Sequence, residues 1–215
     1  NSNYSAINNF AVREARGEYL LFLNNDVEII TENWLEEMLQ LCQQKDVGMV
    51  GAKLYYPDDT IQHAGVVVGL GGVAAHVLCK LPRDAEGYMG RLRCVQEISA
   101  VTAACMMVKT SVFKAVGGFD EELKVAFNDI DLCMKVRKYG VKIVFTPYAE
   151  LYHYESKSRG MEDTPEKQLR FSREVKLFPE KMGKRELLKG DPYYNPNLTL
   201  NNTDCSLRKQ EKNGD

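Results

Sequence analysis

Apolar positions along the chain fall into two kinds of pattern, short unbroken runs and helix-periodic stretches, and they alternate. Between Ser5 and Arg16, residues Ala6, Ile7, Phe10, Ala11 and Ala15 share one helical face, and Gly17 closes the stretch. Tyr19 to Leu23 is a continuous apolar run, which predicts a central strand covered on both faces, as in parallel sheets. Thr31 is a suitable N-cap for a helix to about Gln44, with Trp34, Leu35, Met38, Leu39 and Cys42 inward. Val47 to Tyr55 reads as a second strand broken by Gly48 and Gly51, and Ile61 to Leu81 as two short strands around a Gly-rich turn. Val95 to Val108 is a mixed apolar run with small residues at its centre. Thr110 is placed to cap a short helix, Ser111 to Val116, ended by Gly117-Gly118. A clear helix runs from Asp129 to Tyr139 and stops at Gly140. Val141 to Phe145 reads as a strand broken by Pro147, and Glu150 to Tyr154 as a further extended piece. Thr164-Pro165-Glu166 opens a helix toward Met182, which Pro179 should bend or end.

Alternating strands and helices predict an α/β fold with a mostly parallel central sheet. Residues 1–160 are expected to hold the main domain, and 161–215 a C-terminal helix and an irregular, partly disordered tail whose last ten residues lack order.

Composition narrows the class. With 215 residues, 44% hydrophobic and 27% charged, the chain reads as a soluble globular protein. A net charge of -2 gives no electrostatic case for nucleic acid. No segment approaches the length of a transmembrane helix, and NSNYSAINNF has neither the basic nor the apolar region of a secretory signal. The six cysteines lack CxxC spacing and read as buried reduced thiols. The expected location is the cytoplasm or the inner face of the membrane, so the sequons at Asn3, Asn197 and Asn201 read as chance.

Three clusters could carry chemistry. Asn24-Asn25-Asp26 follows an apolar strand, where α/β sheets bind ligands, although Asn and Asp are also ordinary turn formers. Asn128-Asp129-Ile130-Asp131 opens a helix, so either aspartate could be a base or merely an N-cap. His153 lies among aromatics and could be a metal ligand or a core histidine. Asp26 and His153 together could hold a divalent ion with sites left for diphosphate oxygens. GLGG, residues 69–72, lacks both the Lys-Ser/Thr of a P-loop and dinucleotide spacing.

In order and spacing, LNND, AVTAACMMVKTSVFKAVGGFDE, FNDIDLCMKVRKYG and AELYHYESKSRG closely resemble the pattern of glycosyltransferase family 2. The similarity covers Tyr4 to about Gly160, and DTPEKQ and DPYYNPNLTL look like the bacterial subgroup that builds cell-surface polysaccharides. The resemblance implies a GT-A fold, a three-layer nucleotide-sugar-binding sandwich. It implies Asp26 and His153 as ligands of Mn2+ or Mg2+, and Asn24 and Asn25 beside the nucleotide. Ala103 and Ala104 would lie beside the donor sugar, and Gly117, Gly118 and Asp120 on the acceptor side. Asp129 would be the catalytic base, with Asp131 as fallback. Lys157 and Arg159 would close over the diphosphate. The activity implied is inverting transfer of a sugar, from a UDP- or dTDP-linked donor, to a hydroxyl of a glycan or lipid-linked acceptor. Family members carry further nucleotide-binding strands ahead of the helix at Ser5, so the chain is expected to lack them, to be weak or inactive alone, and to self-associate through the edge they would cover. Two other readings stay open. One is a non-catalytic module that binds glycan or protein partners, and the other is a metal phosphodiesterase, for which three histidines are few.

Overall fold

The computed structural model describes residues 3–155, 164–182 and 190–209. Its elements, in chain order, are α1 (Tyr4–Glu14), β1 (Tyr19–Leu23), β2 (Val27–Ile29), α2 (Trp34–Cys42) and β3 (Val47–Tyr55). Then come β4 (Ile61–His63), β5 (Val66–Val68), β6 (Ala74–His76), β7 (Gln96–Glu97), β8 (Cys105–Lys109) and α3 (Thr110–Ala115). The series ends with α4 (Asn128–Tyr139), β9 (Lys142–His153) and α5 (Pro165–Met182).

The main sheet has the order β1-β8-β3-β9-β2, with β4 beside β3 and β7 beside β9; β5 and β6 form a separate hairpin. Both faces of this sheet are covered. Trp34, Met38 and Cys42 of α2 pack with Val50, Leu54, Met107 and Leu151 on one side. On the other, Leu20, Phe22, Met106 and Val108 meet Phe113, Phe119, Leu132, Val136 and Phe178 from the remaining helices and their loops. The α/β layering expected from the alternating pattern is therefore present.

The expected strand directions are not. Among the described strands the sheet is mixed and mostly antiparallel, since only β3 and β9 pair in parallel. Tyr19–Leu23 is an edge strand, paired on one side with β8. Its inward residues are Leu20 and Phe22, while Leu23 is exposed. The long central strand β3 is instead buried at all nine residues. Gly48 and Gly51 do not break it. A Cβ at Gly51 would lie 2.3 Å from Val101 Cγ1, and one at Gly48 would lie 2.3 Å from Val141 Cγ2. The glycines let the Val101 and Val141 side chains press against a continuous strand.

Pro147 likewise interrupts nothing. Beside β3 the register passes from Gly51↔Phe145 to Lys53↔Glu150, so β9 bulges across 146–149 and carries the proline where no ladder N–H is needed. Helix α1 turns the opposite way from its apolar stripe. Ser5 and Val12 are buried, while Ile7 and Phe10 are exposed. The reason is polar: Ser5 Oγ donates to Leu123 O at 2.5 Å, and the Asn9 amide both donates to Phe119 O and accepts from Phe119 N. The N-cap position of α2 is Asn33, and the Thr31 hydroxyl instead accepts from Glu150 N at 3.2 Å. Thr110 does not cap α3; its hydroxyl donates to Gly17 O at 2.7 Å.

Helix α4 ends on Gly140 at φ 96°, as its sequence predicts. Its start is set from outside. Phe127 takes a left-handed conformation at φ 60° and stacks on Phe171 and Phe178. Glu174 of α5, 3% exposed, accepts from Lys124 N at 3.1 Å and Ala126 N at 2.6 Å. Pro179 lies inside α5 without ending it. Residues 190–209 have little regular structure yet dock on the β5–β6 hairpin. Asp191 accepts from Val68 N at 2.8 Å, and Tyr194, Leu198 and Cys205 are buried. Cys42, Cys105, Cys133 and Cys205 are buried free thiols, whereas Cys79 is half-buried and Cys94 exposed, so not all six are core residues as expected. Of the last ten residues, expected to lack order, 206–209 are instead held against the segment before them, with Thr199 N donating to Ser206 O and Arg208 N to Asn197 O at 2.8 Å each; residues 210–215, the boundary expected near residue 160, and Lys157 and Arg159 lie outside the described residues.

Candidate active site

Strand pairing brings the two halves of the site together. The first residue of β2, Val27, pairs with His153 at the end of β9, so Asp26 meets the histidine although 127 positions separate them. Asp26 O accepts from Tyr154 N at 2.8 Å, and Asp26 Oδ1 lies 3.2 Å from His153 Nε2. Gln62 sets the tautomer of that ring. Its Nε2 points to His153 O at 3.3 Å and Glu155 Oε2 at 3.4 Å, which leaves Oε1 to accept from His153 Nδ1 at 2.8 Å. With the proton on Nδ1, the Nε2 lone pair faces Asp26 and also accepts from Asn24 Nδ2 at 3.1 Å.

A lone pair and a carboxylate oxygen at 3.2 Å repel unless a positive charge lies between them, either a proton or a metal ion. Two ligands at right angles on a small octahedral cation sit about 3 Å apart. The pair therefore fits a divalent ion held by one oxygen and one imidazole, with Gln62 as the outer partner that orients the ring. Among the described residues no three His, Cys, Asp or Glu side chains are grouped to hold a metal by themselves.

Asp129 lies in the first turn of α4 and does not cap it, since Phe127 occupies that position. Its Oδ2 accepts from Ala103 N at 3.2 Å and its Oδ1 from Ile130 N at 2.9 Å. Ala104 O in turn accepts from Asn24 N at 3.0 Å. The segment 102–104 thus spans from the Asp26 turn to Asp129. Asn25 is exposed in that turn.

Asp131 is not brought to this place. It pairs with Lys135 at 2.8 Å and lines a pocket of about 320 Å³ with Asp120, Met134, Lys135, Lys138 and Lys181. Lys135 also donates to Gly118 O at 2.9 Å. Gly117 and Gly118 have φ of 81° and 68°, and a Cβ on Gly118 would lie 2.7 Å from Asn9 Oδ1, so this turn is built around α1. Burial raises the pKa of Asp120, but Lys181 at 2.5 Å and the Glu122 amide hold its carboxyl below the usual value. A larger cavity, about 550 Å³, opens beside Tyr55, Arg83 and Glu150 and contains none of the predicted site residues.

The sequence reading passed over Gln62, His63, His76 and Glu155. All three histidines of the chain bear on one another here, and His63 Nδ1 is 2.9 Å from His76 Nδ1. Their scarcity was the available signal, and only the fold shows that they meet.

Residues 1–174 match the model of a glycosyltransferase-like family. The chain belongs to that family. It is 56% identical over 206 residues to the uncharacterized protein y4gI of Sinorhizobium fredii, covering 95% of this chain and 22% of that protein. It is 41% identical over 214 residues to the O-antigen biosynthesis protein RfbC of Myxococcus xanthus, covering 99% of this chain and 16% of that protein. The chain therefore spans about a fifth of the length of these relatives. The crystal structure of GalNAc-T7 with UDP, GalNAc and Mn2+ superposes with a TM-score of 0.57 at 14% identity, over 81% of this chain and 34% of that one. At that identity the likeness speaks for the fold, which is the GT-A type of glycosyltransferase fold. No described helix is long and apolar enough to cross a membrane.

Proposed function

We propose that this chain is the catalytic part of an inverting, metal-assisted glycosyltransferase that moves a sugar from a nucleotide-diphosphate donor to an acceptor hydroxyl in polysaccharide or cell-surface glycan synthesis. The observation that carries the proposal is the joining of two functions by one short segment. Asn24 holds Ala104, Ala103 holds Asp129, and Asp26 faces His153. The relative RfbC is named for O-antigen biosynthesis, which supports a glycan product.

Asp26 and His153 would hold Mn2+ or Mg2+, which when bound supplies Lewis-acid stabilisation of the leaving diphosphate. Asn24 and Asn25 lie on the nucleotide side of that pair. Asp129 removes the proton of the attacking hydroxyl, and the Ala103 N–H fixes the direction of its carboxylate. The backbone of Ala103 and Ala104, both buried and without bulk, lets the donor sugar approach. A single base and one in-line displacement invert the anomeric configuration, because no second carboxylate is needed as nucleophile. Gly117, Gly118 and Asp120 are assigned to the acceptor side, and Lys157 and Arg159 to the diphosphate. A UDP- or dTDP-linked sugar is the donor class favoured by the family resemblance.

The test is release of nucleoside diphosphate from UDP- and dTDP-sugars, with and without a glycan or lipid-linked acceptor, in Mg2+ or Mn2+. Release that requires both acceptor and metal, and is lost in Asp129→Asn, supports the proposal. Release that is indifferent to acceptor, or none with any donor in the intact protein, overturns it.

A further inference from the structure

His63 and His76 belong to no step above, yet their protonation can be read from the hydrogen bonds. His63 ends β4 and is fully buried. Its Nε2 lies 3.4 Å from Thr102 N, and a backbone amide can only donate. Nε2 therefore accepts, and the ring proton sits on Nδ1. That nitrogen is 2.9 Å from His76 Nδ1, so His76 Nδ1 must accept in turn. The proton of His76 is then on Nε2. A doubly protonated His76 would turn an N–H against the N–H of His63 and break the chain of bonds. Burial agrees with two neutral rings. It pushes His63 well below the ordinary histidine value and also lowers His76, against an opposing pull from Asp129 and Glu155.

The placement of His76 is equally specific. The β5–β6 hairpin that carries it is tied to the segment ahead of Thr102 by Val66 N donating to Ala100 O at 2.9 Å. Thr102 N binds His63 and the next amide, Ala103 N, binds Asp129. The histidine pair and Asp129 thus hang on consecutive amides of one segment. The titratable groups that bear on His76 are His63, Asp129, Glu155 and His153. The ring is half-buried, and its Nε2 has no acceptor among the described residues and is not sealed from solvent.

We infer that His76 reads the transferred sugar, its Nε2–H donating to a ring hydroxyl oxygen, with His63 as the positioning residue that fixes this tautomer. The inference rests on the transferase reading above. In such a transfer the anomeric carbon lies between the leaving diphosphate oxygen and the attacking hydroxyl. The sugar ring therefore occupies the space between Asp26–His153 and Asp129, and His76 reaches toward it through His63, one amide away from the amide that holds Asp129. A neutral donor suits a neutral hydroxyl, whereas a phosphate would call for a charged partner.

The experiment is 15N NMR of the chain with its three histidines labelled, assigned with His63→Gln and His76→Gln. At pH 7.5 His63 should carry its proton on Nδ1 and His76 on Nε2. UDP-glucose, UDP-N-acetylglucosamine, dTDP-glucose and GDP-mannose are then added with Mg2+, each against its nucleoside diphosphate. At least one nucleotide sugar should shift His76 Nε2 where the diphosphate alone does not. His63→Leu should scramble the His76 tautomer and remove that shift. His63→Gln, whose amide can accept from Thr102 and donate to His76, should keep both. His76→Phe should lower the affinity for that nucleotide sugar about five- to tenfold, the worth of one neutral hydrogen bond, and leave diphosphate binding unchanged. A proton on His76 Nδ1, or a charged His76, overturns the inference from the unmodified chain alone. Nucleotide sugars that perturb His153 but never His76 overturn it and leave the transferase reading standing. If none perturbs any histidine, in the chain or in the intact protein, the transferase reading falls and the inference with it.

Discussion

Glu174 lies outside the candidate site and should nonetheless govern it. Its buried carboxylate accepts from Lys124 N and Ala126 N, immediately before the left-handed Phe127 that starts α4 and aims Asp129. Replacing it with alanine removes two hydrogen bonds to a charged acceptor, each worth about 1.5–3 kcal/mol. Water can reach part of this loop in the variant, so the lower sum is expected, about 3 kcal/mol. For a domain of this size that corresponds to a fall in melting temperature of roughly 6–12 °C. Glu174→Gln keeps one acceptor and turns an N–H toward the other amide, so it should recover no more than half. Thermal denaturation followed by calorimetry measures the loss, and amide exchange at Lys124 and Ala126 locates it. The transfer rate should drop further than the unfolded fraction accounts for, because the Asp129–Ala103 bond loses its support. An alanine variant that melts within 2 °C of the parent and keeps both amides protected would refute this reasoning.

Asp129→Asn keeps an acceptor for Ala103 N, so it should fold normally while transfer falls about a hundred- to ten-thousand-fold; steady-state rates beside Asp131→Asn, expected near normal, check the assignment. His153→Gln should abolish stabilisation by Mn2+ with UDP, measured as the metal-dependent rise in melting temperature, whereas His63→Gln should retain it. Gly51→Ala should cost about 1–3 kcal/mol against Val101, and Val101→Ala should relieve part of that cost in a double-mutant cycle. Because His63 and His76 have folded pKa values below 6.5, the unfolded chain binds more protons below that value. Stability should therefore decline as pH falls below about 6.5, with a slope approaching 1.4 kcal/mol per unit from His63 and a smaller addition from His76. A denaturant midpoint that does not change between pH 7.5 and 5.5 would contradict this.

What could be read from the chain was local. Gly140 after an amphipathic stretch stops α4, and nine mostly apolar residues make β3, because caps and burial act over a few positions. The facing of Asp26 and His153 was anticipated through family resemblance, and the structure brings the two together by the β2–β9 register. Strand direction and edge position were misread at Tyr19–Leu23, since an apolar run does not say which neighbour it pairs with. Ile7 and Phe10 misled in the same way. The buried face of α1 is chosen by the backbone of residues 117–124, which needs Ser5 and Asn9 as partners. Thr31 and Thr110 have the chemistry of caps, yet their hydroxyls serve Glu150 and Gly17, contacts of about a hundred positions. Gln62, His63 and His76 escaped for the same reason, because nothing near them in sequence shows what they face.

The clamp from α5 also sets an order of assembly. During synthesis the chain emerges from its N-terminus at about 5–20 residues per second. Once β9 is out, β2 can pair with it and Asp26 can meet His153. The start of α4 has by then been made, but Glu174 and Phe178 have not. For those seconds the Phe127 turn lacks the two Glu174 hydrogen bonds and its ring partners, and Asp129 is held by the Ala103 amide without a braced helix start behind it. The cation half of the site is thus completed before the half that handles the proton, which is braced only when a distant helix arrives.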